Sequence, residues 1–371
     1  MKKRRVAVIG ATGSIGKQAV DVIERNIEMF DTVLLTANIN KPAMEDAGRR
    51  LSAKKTLLTN NQTGELVKIL EDIEIDIAVI GASGASMIMP AYILVSRGVT
   101  LALANKECIV SAGRQITSAA DANNALIIPV DSEHSAIFQC LKGNRRKDIT
   151  KLILTASGGT FRDLPVHALA NVTPAQALNH PNWKMGHKIT VDSATMMNKG
   201  LELIEARFLF NMPPDRLEVV MHPQSIIHAM VSYLDGSVMA QMSLPDMKTP
   251  ISYALGYPER IESGAGQLDF TKIMNLEFYP PDKKRYPCLD IALKVLYNDS
   301  SSNMIVMNAA NEIAVNAFLR EELAFNAIAP LIEKILEKAD FSEPKGIEDV
   351  LEIDRHTRES AQALLRINQP E

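Results

Sequence analysis

Short apolar runs alternate with segments of helical length over the first 155 residues. The runs are rich in Val, Ile, Leu and Ala, and they occupy residues 6–9, 32–37, 75–80, 99–104, 126–130 and 151–155. The first intervening segment shows helical periodicity through Val20, Ile23 and Ile27. Continuous apolar strands joined by helical crossovers are typical of a parallel, doubly wound sheet that binds ligands at the carboxyl ends of its strands. We therefore predict an N-terminal Rossmann-type α/β domain.

A different pattern follows residue 155. It predicts a long loop with one short helix at 160–187, a helix at 192–210, a hairpin with strands at 226–233 and 238–243, a linker at 262–288 and helices from 289 onward. The hairpin prediction rests on Asp235-Gly236 between two strand-like runs. Long loops in compact domains are often functional lids. We therefore expect an α+β domain with a lid, followed by a C-terminal helical domain.

Composition and charge exclude several classes of protein. Hydrophobic residues make up 46% of the 371 residues and the net charge is −4, so we expect a folded chain without the basic excess that drives nucleic-acid binding. No apolar segment approaches the length of a membrane-spanning helix. Cys108, Cys140 and Cys288 form no CxxC pair, which argues against disulfides and zinc-thiolate sites. Because no signal or transit peptide is recognisable at the start, we expect a bacterial, cytoplasmic protein.

A glycine-rich turn follows the first predicted strand. Gly10, Gly13 and Gly16 have the spacing GxxGxxG between a strand and a helix. Such glycines let the backbone approach a pyrophosphate at a helix N-terminus, and an ordinary tight strand–helix turn is the alternative. No Asp or Glu follows the second strand at 36–41, where a carboxylate would bind the ribose 2′-hydroxyl of NAD. The turn indicates dinucleotide binding, and the missing carboxylate favours NADP.

Two carboxylates lie at the end of the fifth predicted strand. Asp131 and Glu133 are two residues apart, so their side chains can point the same way. Two converging carboxylates suit Mg²⁺ or Mn²⁺, which prefer oxygen ligands. The alternative is a helix start, with Asp131 or Ser132 as the N-cap.

The predicted helix at 192–210 has two distinct faces. Its apolar stripe comprises Met197, Leu201, Ile204 and Phe208. Asn198, Lys199 and Glu202 cluster on another face. These three residues can bind a ligand, or Lys199 and Glu202 can form an exposed ion pair of little energetic value.

Two further segments contain candidate site residues. Ser157 lies in a Ser-Gly-Gly turn, where small residues leave room for a phosphate, and a flexible turn is the alternative. Trp183, the only tryptophan of the chain, lies with His180 and Met185 in the long loop. This loop can close over a substrate and exclude water, or Trp183 can anchor it to the domain.

Eight motifs occur in a fixed order along the chain. They begin at Gly10, Asn105, Asp131, Thr155, His180, Asp192, His222 and Asn308, and they read GATGSIG, NKE, DSEH, TASGG, HPNWKMG, DSATMMNKGLE, HPQS and NAANE. Together they closely resemble the 1-deoxy-D-xylulose 5-phosphate reductoisomerase family, and the resemblance extends from Arg5 into the C-terminal helices. It implies a homodimer that acts on a small phosphorylated sugar.

The implied reaction has two stages. The enzyme rearranges 1-deoxy-D-xylulose 5-phosphate to a branched aldehyde phosphate and reduces it with NADPH to 2-C-methyl-D-erythritol 4-phosphate. This is an early step of the non-mevalonate route to isoprenoids. The resemblance also implies a divalent cation, Mg²⁺ or Mn²⁺, with Co²⁺ as a further candidate.

The resemblance assigns roles to individual residues. The implied metal ligands are Asp131, Glu133 and Glu202. The implied catalytic residues are Lys106, Glu133, His180, Trp183 and Met185. The implied substrate-binding residues are Ser132, Glu133, Ser157, His180, Ser193, Asn198, Lys199 and Glu202. The implied cofactor-binding residues are Thr12, Gly13, Ser14, Ile15, Asn38, Asn40, Asn105, Glu107 and Gly186.

These assignments complete a division into four parts. We expect a dinucleotide-binding domain at 1–131, a catalytic domain that binds metal and phosphate and carries the lid at 132–261, a linker at 262–288 and a helical domain at 289–371.

One segment departs from the family pattern. After the second strand, members of the family have Gly-Lys-Asn and then an Arg, whose basic side chains meet the 2′-phosphate of NADPH. Here Ile39 and Ala43 occupy the two basic positions, which leaves Lys41, Asn38 or Asn40 as substitutes. NADPH remains the expected cofactor.

Three other functions remain open from the sequence. A semialdehyde-type dehydrogenase would need a cysteine nucleophile such as Cys108. A redox-sensing dinucleotide-binding protein would bind a cofactor without turnover. A cofactor-free metal isomerase would leave the glycine-rich turn without a role.

Overall fold

The structure is a computed structural model, and it describes residues 2–183, 185–272 and 275–367. The strands are β1 (Arg4–Ile9), β2 (Phe30–Ala37), β3 (Thr56–Leu58), β4 (Ile77–Ile80), β5 (Thr100–Leu103), β6 (Ile127–Pro129), β7 (Ile149–Ala156), β8 (Leu217–Met221), β9 (Ile227–Tyr233) and β10 (Val238–Met242).

The helices of the described part of the chain range from a single turn to 21 residues. They are α1 (Ser14–Arg25), α2 (Lys41–Arg50), α3 (Gly64–Asp72), α4 (Ile88–Ser96), α5 (Lys106–Ala122), α6 (Ser132–Leu141), α7 (Pro174–Ala177), α8 (His187–Thr195), α9 (Met197–Leu209), α10 (Lys248–Gly256), α11 (Pro287–Asn298), α12 (Ser301–Leu319), α13 (Ile328–Lys338) and α14 (Ile347–Ile367). Among the described residues, none of these helices has the length and apolar character needed to cross a membrane.

The first sheet has six parallel strands in the order β3-β2-β1-β4-β5-β6. β1 pairs with β2 on one side and with β4 on the other, and its Val6 and Val8 are fully buried. A strand buried on both faces needs a continuous apolar run, as β1 has. The strand order places a topological switch point between β1 and β4, where ligands bind in such sheets. The predicted Rossmann-type fold is confirmed.

Two strand predictions need correction. The sequence pattern does not predict β3, because this strand has only 3 residues and its first, Thr56, is exposed. The assignment of residues 151–155 to the first sheet is wrong, because they form β7 of a second sheet. β7 pairs with β8 in parallel and with β9 in antiparallel orientation. Its apolar run therefore reflects a central position in a mixed sheet.

The second sheet has the order β10-β9-β7-β8. The predicted hairpin is confirmed as β9 and β10, with Gly236 at a φ of +85° in the turn. The predicted long loop contains one short α-helix, α7, which begins with a capping box between Thr173 and Gln176. Tyr279, in the predicted linker, forms a single bridge with Met221 of β8.

The predicted helix at 192–210 is two helices, α8 and α9. They are separated by Met196, which has a left-handed backbone with φ of 61°. A left-handed residue ends a helix, and glycine or asparagine normally occupies that position. Because methionine seldom does, the sequence contains no signal for this interruption.

Contacts divide the chain into two compact units. The first comprises Met1–Ile109, Gly113–Asn144 and Gln241–Asp269, and the second comprises Val110–Ala112, Arg145–Ala240 and Phe270–Glu371. The first unit contains the parallel sheet and α10, whose Ile251 and Leu255 join the apolar core around Val6. The second contains the helices α11–α14, among which α12 contacts the other three. The four-part domain division stays a prediction.

Candidate active site

The glycine-rich turn of the first unit joins β1 to α1. Gly10 has a φ of +89°, and a Cβ on Gly16 would lie 2.0 Å from the carbonyl oxygen of Gly10, so neither position accepts a side chain. α1 begins at Ser14, its N-cap Gly13 supplies no capping side chain, and its first turn contains no acidic residue. The backbone N–H groups of this helix start can therefore bind an anion such as a pyrophosphate.

The polar residues after β2 have local structural roles. The Asn38 amide donates to Oδ1 of Asn61 at 2.6 Å and accepts the N–H of the same residue at 2.7 Å. Asn40 is the N-cap of α2. Ile39 is 70% exposed, and the Lys41 side chain is 67% exposed, which leaves Lys41 as the accessible cation of this segment.

Asn105 links the ends of β4 and β5. Its Nδ2 donates to the carbonyl oxygens of Ala82 at 2.9 Å and Gly84 at 3.1 Å. Its Oδ1 accepts the N–H of Cys108 at 2.8 Å and thereby caps α5. Cys108 is fully buried and Glu107 nearly so. A cysteine nucleophile must be reached by its substrate, so the burial of Cys108 speaks against the semialdehyde dehydrogenase alternative.

Asp131 follows β6 and is held by two basic side chains. Its carboxylate accepts a hydrogen bond from Lys106 Nζ and lies 3.3 Å from Nδ1 of His134. Burial opposes the charge, but Lys106 and His134 outweigh it and hold the pKa of Asp131 well below its usual range. Asp131 occupies the N-cap position of α6 without making a side-chain capping bond. The start of α6 therefore explains the backbone conformation of Asp131 but not the position of its carboxylate. The hydroxyl of the next residue, Ser132, donates to Glu133 Oε2 at 2.5 Å.

In the second unit, Ser157 follows β7 and contacts the long loop. Its Oγ lies 3.1 Å from Nε2 of His180. Nδ1 of His180 accepts the backbone N–H groups of Asn182 at 3.2 Å and Trp183 at 3.0 Å. Because Nδ1 is an acceptor, the ring proton lies on Nε2 and points to Ser157. Burial lowers the pKa of His180 to about 4, so the ring is a neutral donor near neutral pH.

The turn after Ser157 packs directly against α8. Gly159 has a φ of +69°, and a Cβ there would lie 2.5 Å from the carbonyl oxygen of Ser193. This close approach requires glycine. The structure thus brings Ser157, His180 and Ser193, three of the residues expected to bind the substrate, into one region of the second unit.

The ion pair predicted on α9 is buried. Glu202 is fully buried and Lys199 is 3% exposed. Lys199 Nζ donates to Oε2 of Glu202, and Asn198 Nδ2 donates to Oε1, both at 2.5 Å. The exposed-pair alternative is therefore wrong. Burying two charges costs solvation energy that one pairing rarely returns, so the pair is weak evidence for a stabilising role.

The loop residues Trp183, Met185 and Gly186 directly precede α8 in the chain. Trp183 is half-buried and packs edge-on against His228, with ring centroids 6.0 Å apart, as expected of an anchor. Gly186 is the N-cap of α8. Met185 is half-buried, so the loop is not detached from the unit.

Sequence reasoning missed Asn182, which holds this loop, and His222, which holds the turn that Asn182 contacts. Asn182 Nδ2 donates to the carbonyl oxygen of Pro223 at 2.7 Å and to Ser225 Oγ at 3.1 Å. His222 is fully buried; its Nδ1 lies 3.0 Å from the carbonyl oxygen of Glu277, and its Nε2 accepts the backbone N–H groups that follow Ser225. Asn182 and His222 lie in the HPNWKMG and HPQS motifs, but nothing in the spacing of these motifs connects one to the other.

Sequence models of one family match most of the chain. The model described as 1-deoxy-D-xylulose 5-phosphate reductoisomerase matches residues 6–70 and 53–113. Its C-terminal domain model matches residues 127–210, and a further DXP reductoisomerase C-terminal domain model matches residues 242–360.

Individual relatives match nearly the full length. The 1-deoxy-D-xylulose 5-phosphate reductoisomerase of Zymomonas mobilis is 43% identical over 380 residues, which cover 98% of each chain. That of Geotalea uraniireducens is 44% identical over 387 residues, covering 98% of this chain and 99% of the relative.

Solved structures give the same result. The Zymomonas mobilis enzyme in complex with NADPH has a TM-score of 0.91 at 41% identity and covers 98% of this chain and 99% of its own. A DOX-P reductoisomerase in complex with NADPH, fosmidomycin and magnesium has a TM-score of 0.89 at 35% identity, covering 99% of this chain and 100% of its own. Fold, motifs and relatives agree, and the chain belongs to the 1-deoxy-D-xylulose 5-phosphate reductoisomerase family.

Proposed function

We propose that this chain rearranges 1-deoxy-D-xylulose 5-phosphate and reduces the product with NADPH to 2-C-methyl-D-erythritol 4-phosphate. The observation that carries the proposal is the grouping of Ser157, His180 and Ser193 on the unit that also buries Lys199 and Glu202. Hydroxyl and ring N–H donors, together with a cationic lysine of the same unit, suit a phosphate monoester. In an enzyme of this family, such a substrate is the phosphorylated sugar.

The phosphate is assigned to Ser157, His180, Ser193, Asn198 and Lys199. His180 contributes an uncharged donor, because its Nδ1 is occupied by the loop backbone and its pKa is lowered to about 4. Lys199 supplies the positive charge. Phosphate binding is remote from the reacting carbons, so its energy can be used to close the loop.

The cation is assigned to Asp131, Glu133 and Glu202, a set carried over from the family. All the ligand atoms of this set are carboxylate oxygens, which fits Mg²⁺ or Mn²⁺. When bound, the cation supplies a Lewis acid for the substrate's carbonyl and hydroxyl oxygens. Lys106 keeps Asp131 ionised, and Ser132 orients Glu133 by donating to its Oε2.

The loop is assigned the exclusion of water. Trp183 and Met185 cover the substrate, while His180 connects the loop to the phosphate through Nε2. A covered site protects a reactive aldehyde from hydration between rearrangement and reduction.

The cofactor is assigned to the edge of the parallel sheet. The proposed contacts are Thr12, Gly13, Ser14, Ile15, Asn38, Asn40, Asn105, Glu107 and Gly186. NADPH supplies the hydride equivalent when bound. The N–H groups at the start of α1 bind its pyrophosphate, and Lys41 replaces the missing basic side chains at Ile39 and Ala43 toward the 2′-phosphate.

The cofactor assignment has a simple internal control. Lys41→Ala should lower kcat/KM for NADPH and leave that for NADH unchanged, because NADH lacks the 2′-phosphate. Equal losses with both cofactors would remove Lys41 from the 2′-phosphate site.

The activity is tested by cofactor oxidation. Purified protein is mixed with 1-deoxy-D-xylulose 5-phosphate and either NADPH or NADH, with Mg²⁺ or with EDTA. We expect oxidation that EDTA abolishes and that is faster with NADPH. A folded protein that binds the dinucleotide but oxidises neither cofactor would favour the redox-sensor alternative.

We also propose a cytoplasmic homodimer. β10 is the edge strand of the second sheet, and its Val238 and Met239 are 53% and 45% exposed. An exposed apolar edge strand is suited to pairing with a second copy of the chain. The absence of disulfides among Cys108, Cys140 and Cys288 supports a reducing compartment.

A further inference from the structure

The helix α12 contains polar residues where an apolar core is expected. Asn308 and Asn311 are fully buried and Glu312 is 8% exposed, within a helix of 19 residues that is otherwise mostly apolar and buried. They belong to the NAANE motif, for which the proposed function provides no role. Buried amides are costly unless they are hydrogen-bonded, so their partners indicate what they do.

Asn311 contacts a carboxylate of α8. Its Nδ2 donates to Oδ1 of Asp192 at 2.9 Å. Asp192 is 1% exposed, and its Oδ2 lies 2.8 Å from Lys188 Nζ on the same helix. The carboxylate is therefore held from one side by α12 and from the other by its own helix.

The residue after Asp192 contacts the glycine turn that follows Ser157. Ser193 is half-buried, and its carbonyl oxygen lies against Gly159 in the turn after Ser157. Two of the contacts of α8 therefore lie next to each other in the chain, Asn311 at Asp192 and the glycine turn at Ser193.

α8 depends on such contacts for its position. It has only 9 residues, it begins at the end of the long loop, and it ends at the left-handed Met196. A helix this short is not stable by itself and takes its position from its neighbours. The same position determines where α9 begins, and Asn198 and Lys199 lie in the first turn of α9.

We propose that Asn311 is a positioning residue for the phosphate site. Through Asp192 it fixes α8, and thereby Ser193 and the start of α9, at the distance from Ser157 that a phosphate monoester requires. The inference rests on the proposed function, since it concerns the substrate's phosphate.

The same helix offers a matched control. Asn308 is equally buried and lies three residues before Asn311. Its Nδ2 donates to Oε1 of Glu312 at 3.1 Å and lies 3.5 Å from Ser111 Oγ, so its contacts are with other elements than α8. Replacing either asparagine by alanine removes one buried amide from α12.

The test compares Asn311→Ala with Asn308→Ala in the full chain. We expect Asn311→Ala to raise KM for 1-deoxy-D-xylulose 5-phosphate by about fivefold to tenfold, the equivalent of one hydrogen bond. KM for NADPH should stay unchanged. Asn308→Ala should lower the urea midpoint of unfolding similarly without raising KM for the sugar phosphate. Equal effects of both variants on that KM, or no effect of Asn311→Ala, would overturn the proposal.

A double variant keeps the proposal testable if Asn311→Ala does not fold. Asp192→Asn combined with Asn311→Asp restores an amide–carboxylate pair in which the two positions have exchanged their groups. We expect the double variant to bind the sugar phosphate better than either single exchange, and a double variant no better than the singles would contradict the proposal.

Inorganic phosphate separates this proposal from the proposed function. Its binding is followed by the fluorescence of Trp183, the single tryptophan, which lies in the loop. If the wild type shows no turnover but binds phosphate more tightly than Asn311→Ala does, the proposed reaction is refuted and the positioning role of Asn311 is retained. A wild type that neither turns over nor binds phosphate would refute both.

Discussion

Polar side chains that the fold removes from water give the candidate site its chemistry. Glu202 is fully buried between Asn198 and Lys199, and Asp131 is kept ionised by Lys106. A buried charge needs compensation, and here each carboxylate has a cationic neighbour. His180, in contrast, is buried without a charge. Burial keeps its ring neutral, and its contacts with the loop backbone fix the tautomer.

Replacing Glu202 by Gln tests its assignment as a metal ligand. The amide is isosteric, so the fold should survive, but it lacks the negative charge that a cation requires. We expect turnover at saturating Mg²⁺ to fall more than about 100-fold, since even outer contacts of metal ligands change activity 10–100-fold. Glu312→Gln is the control. It also removes a buried carboxylate, which lies on α12 and contacts Arg358. Near wild-type turnover of Glu202→Gln would exclude the assignment.

The low pKa of His180 predicts a pH dependence of stability. Its pKa is about 4 in the folded chain and 6.5 ordinarily, so the unfolded chain binds this proton first as the pH falls. The free energy of unfolding should therefore fall as the pH is lowered through this window, with no contribution from His180 above it.

Urea unfolding at about pH 7.5 and about pH 5 measures this effect. His180→Gln should lose less stability between these pH values than the wild type, whereas the exposed His167→Gln should behave as the wild type. Identical pH dependence of all three proteins would exclude a neutral, buried His180.

At the scale of elements, α8 connects the features of the second unit. It follows the long loop, contacts the glycine turn after β7 and is held by Asn311 of α12. Its termini are set by Gly186 and by the left-handed Met196. The element is short, so we expect each of these contacts to influence where Ser193 lies.

The contact between the glycine turn and α8 is tested by Gly159→Ala. Gly236→Ala is its control, because both glycines have a positive φ but a Cβ on Gly236 meets nothing within 4 Å. We expect Gly236→Ala to cost about 1–2 kcal/mol of unfolding free energy for its backbone alone. Gly159→Ala should cost roughly 1–3 kcal/mol more because its Cβ collides with the backbone of Ser193, and it should raise KM for the sugar phosphate. Equal losses of unfolding free energy in the two variants would show that α8 moves away from the added Cβ at little energetic cost.

Local patterns predict elements whose signals lie within a few residues. The run at 6–9, the glycines that follow and the helical spacing after them are sufficient for β1, the turn and α1. β3 has too few residues to show a period. The sheet to which β7 belongs depends on its pairing with Leu217 and Val231, which lie far along the chain.

The same distinction applies to the site. Ser157, His180 and Lys199 stand in recognisable motifs, so sequence reasoning could single them out. The contacts of Asn182 with the turn at Pro223 and of Asn311 with Asp192 join segments that no spacing relates. Burial likewise is not visible in a spacing, so the exposed and the buried ion pair on α9 could not be distinguished.

At the scale of the whole molecule, the residues assigned to one reaction belong to two units. The first contributes the glycine turn, Asn105 and Asp131, and the second contributes Ser157 and Glu202. The Rossmann-type unit alone would suit many dinucleotide-dependent enzymes. We propose that the second unit restricts the substrate to a phosphorylated one.

The proposed homodimer predicts the mass of the protein in solution and a substitution that disrupts the dimer. Light scattering should give twice the chain mass of 40.7 kDa for the wild type. Met239→Lys places a charge on the edge strand β10 and should shift the protein toward the monomer. Val166→Lys, at an apolar residue that is 47% exposed outside this strand, should not. A wild type that is monomeric, or a Met239→Lys variant that stays dimeric, would exclude β10 as the interface.

The carbon skeleton of the product shows whether the chain carries out both the rearrangement and the reduction. ¹³C-labelled 1-deoxy-D-xylulose 5-phosphate is incubated with the protein, NADPH and Mg²⁺, and the product is identified by NMR. We predict the branched 2-C-methyl-D-erythritol 4-phosphate, with one NADPH oxidised per molecule formed. An unbranched reduced sugar phosphate, or unchanged substrate in the presence of folded protein, would exclude the proposed reaction.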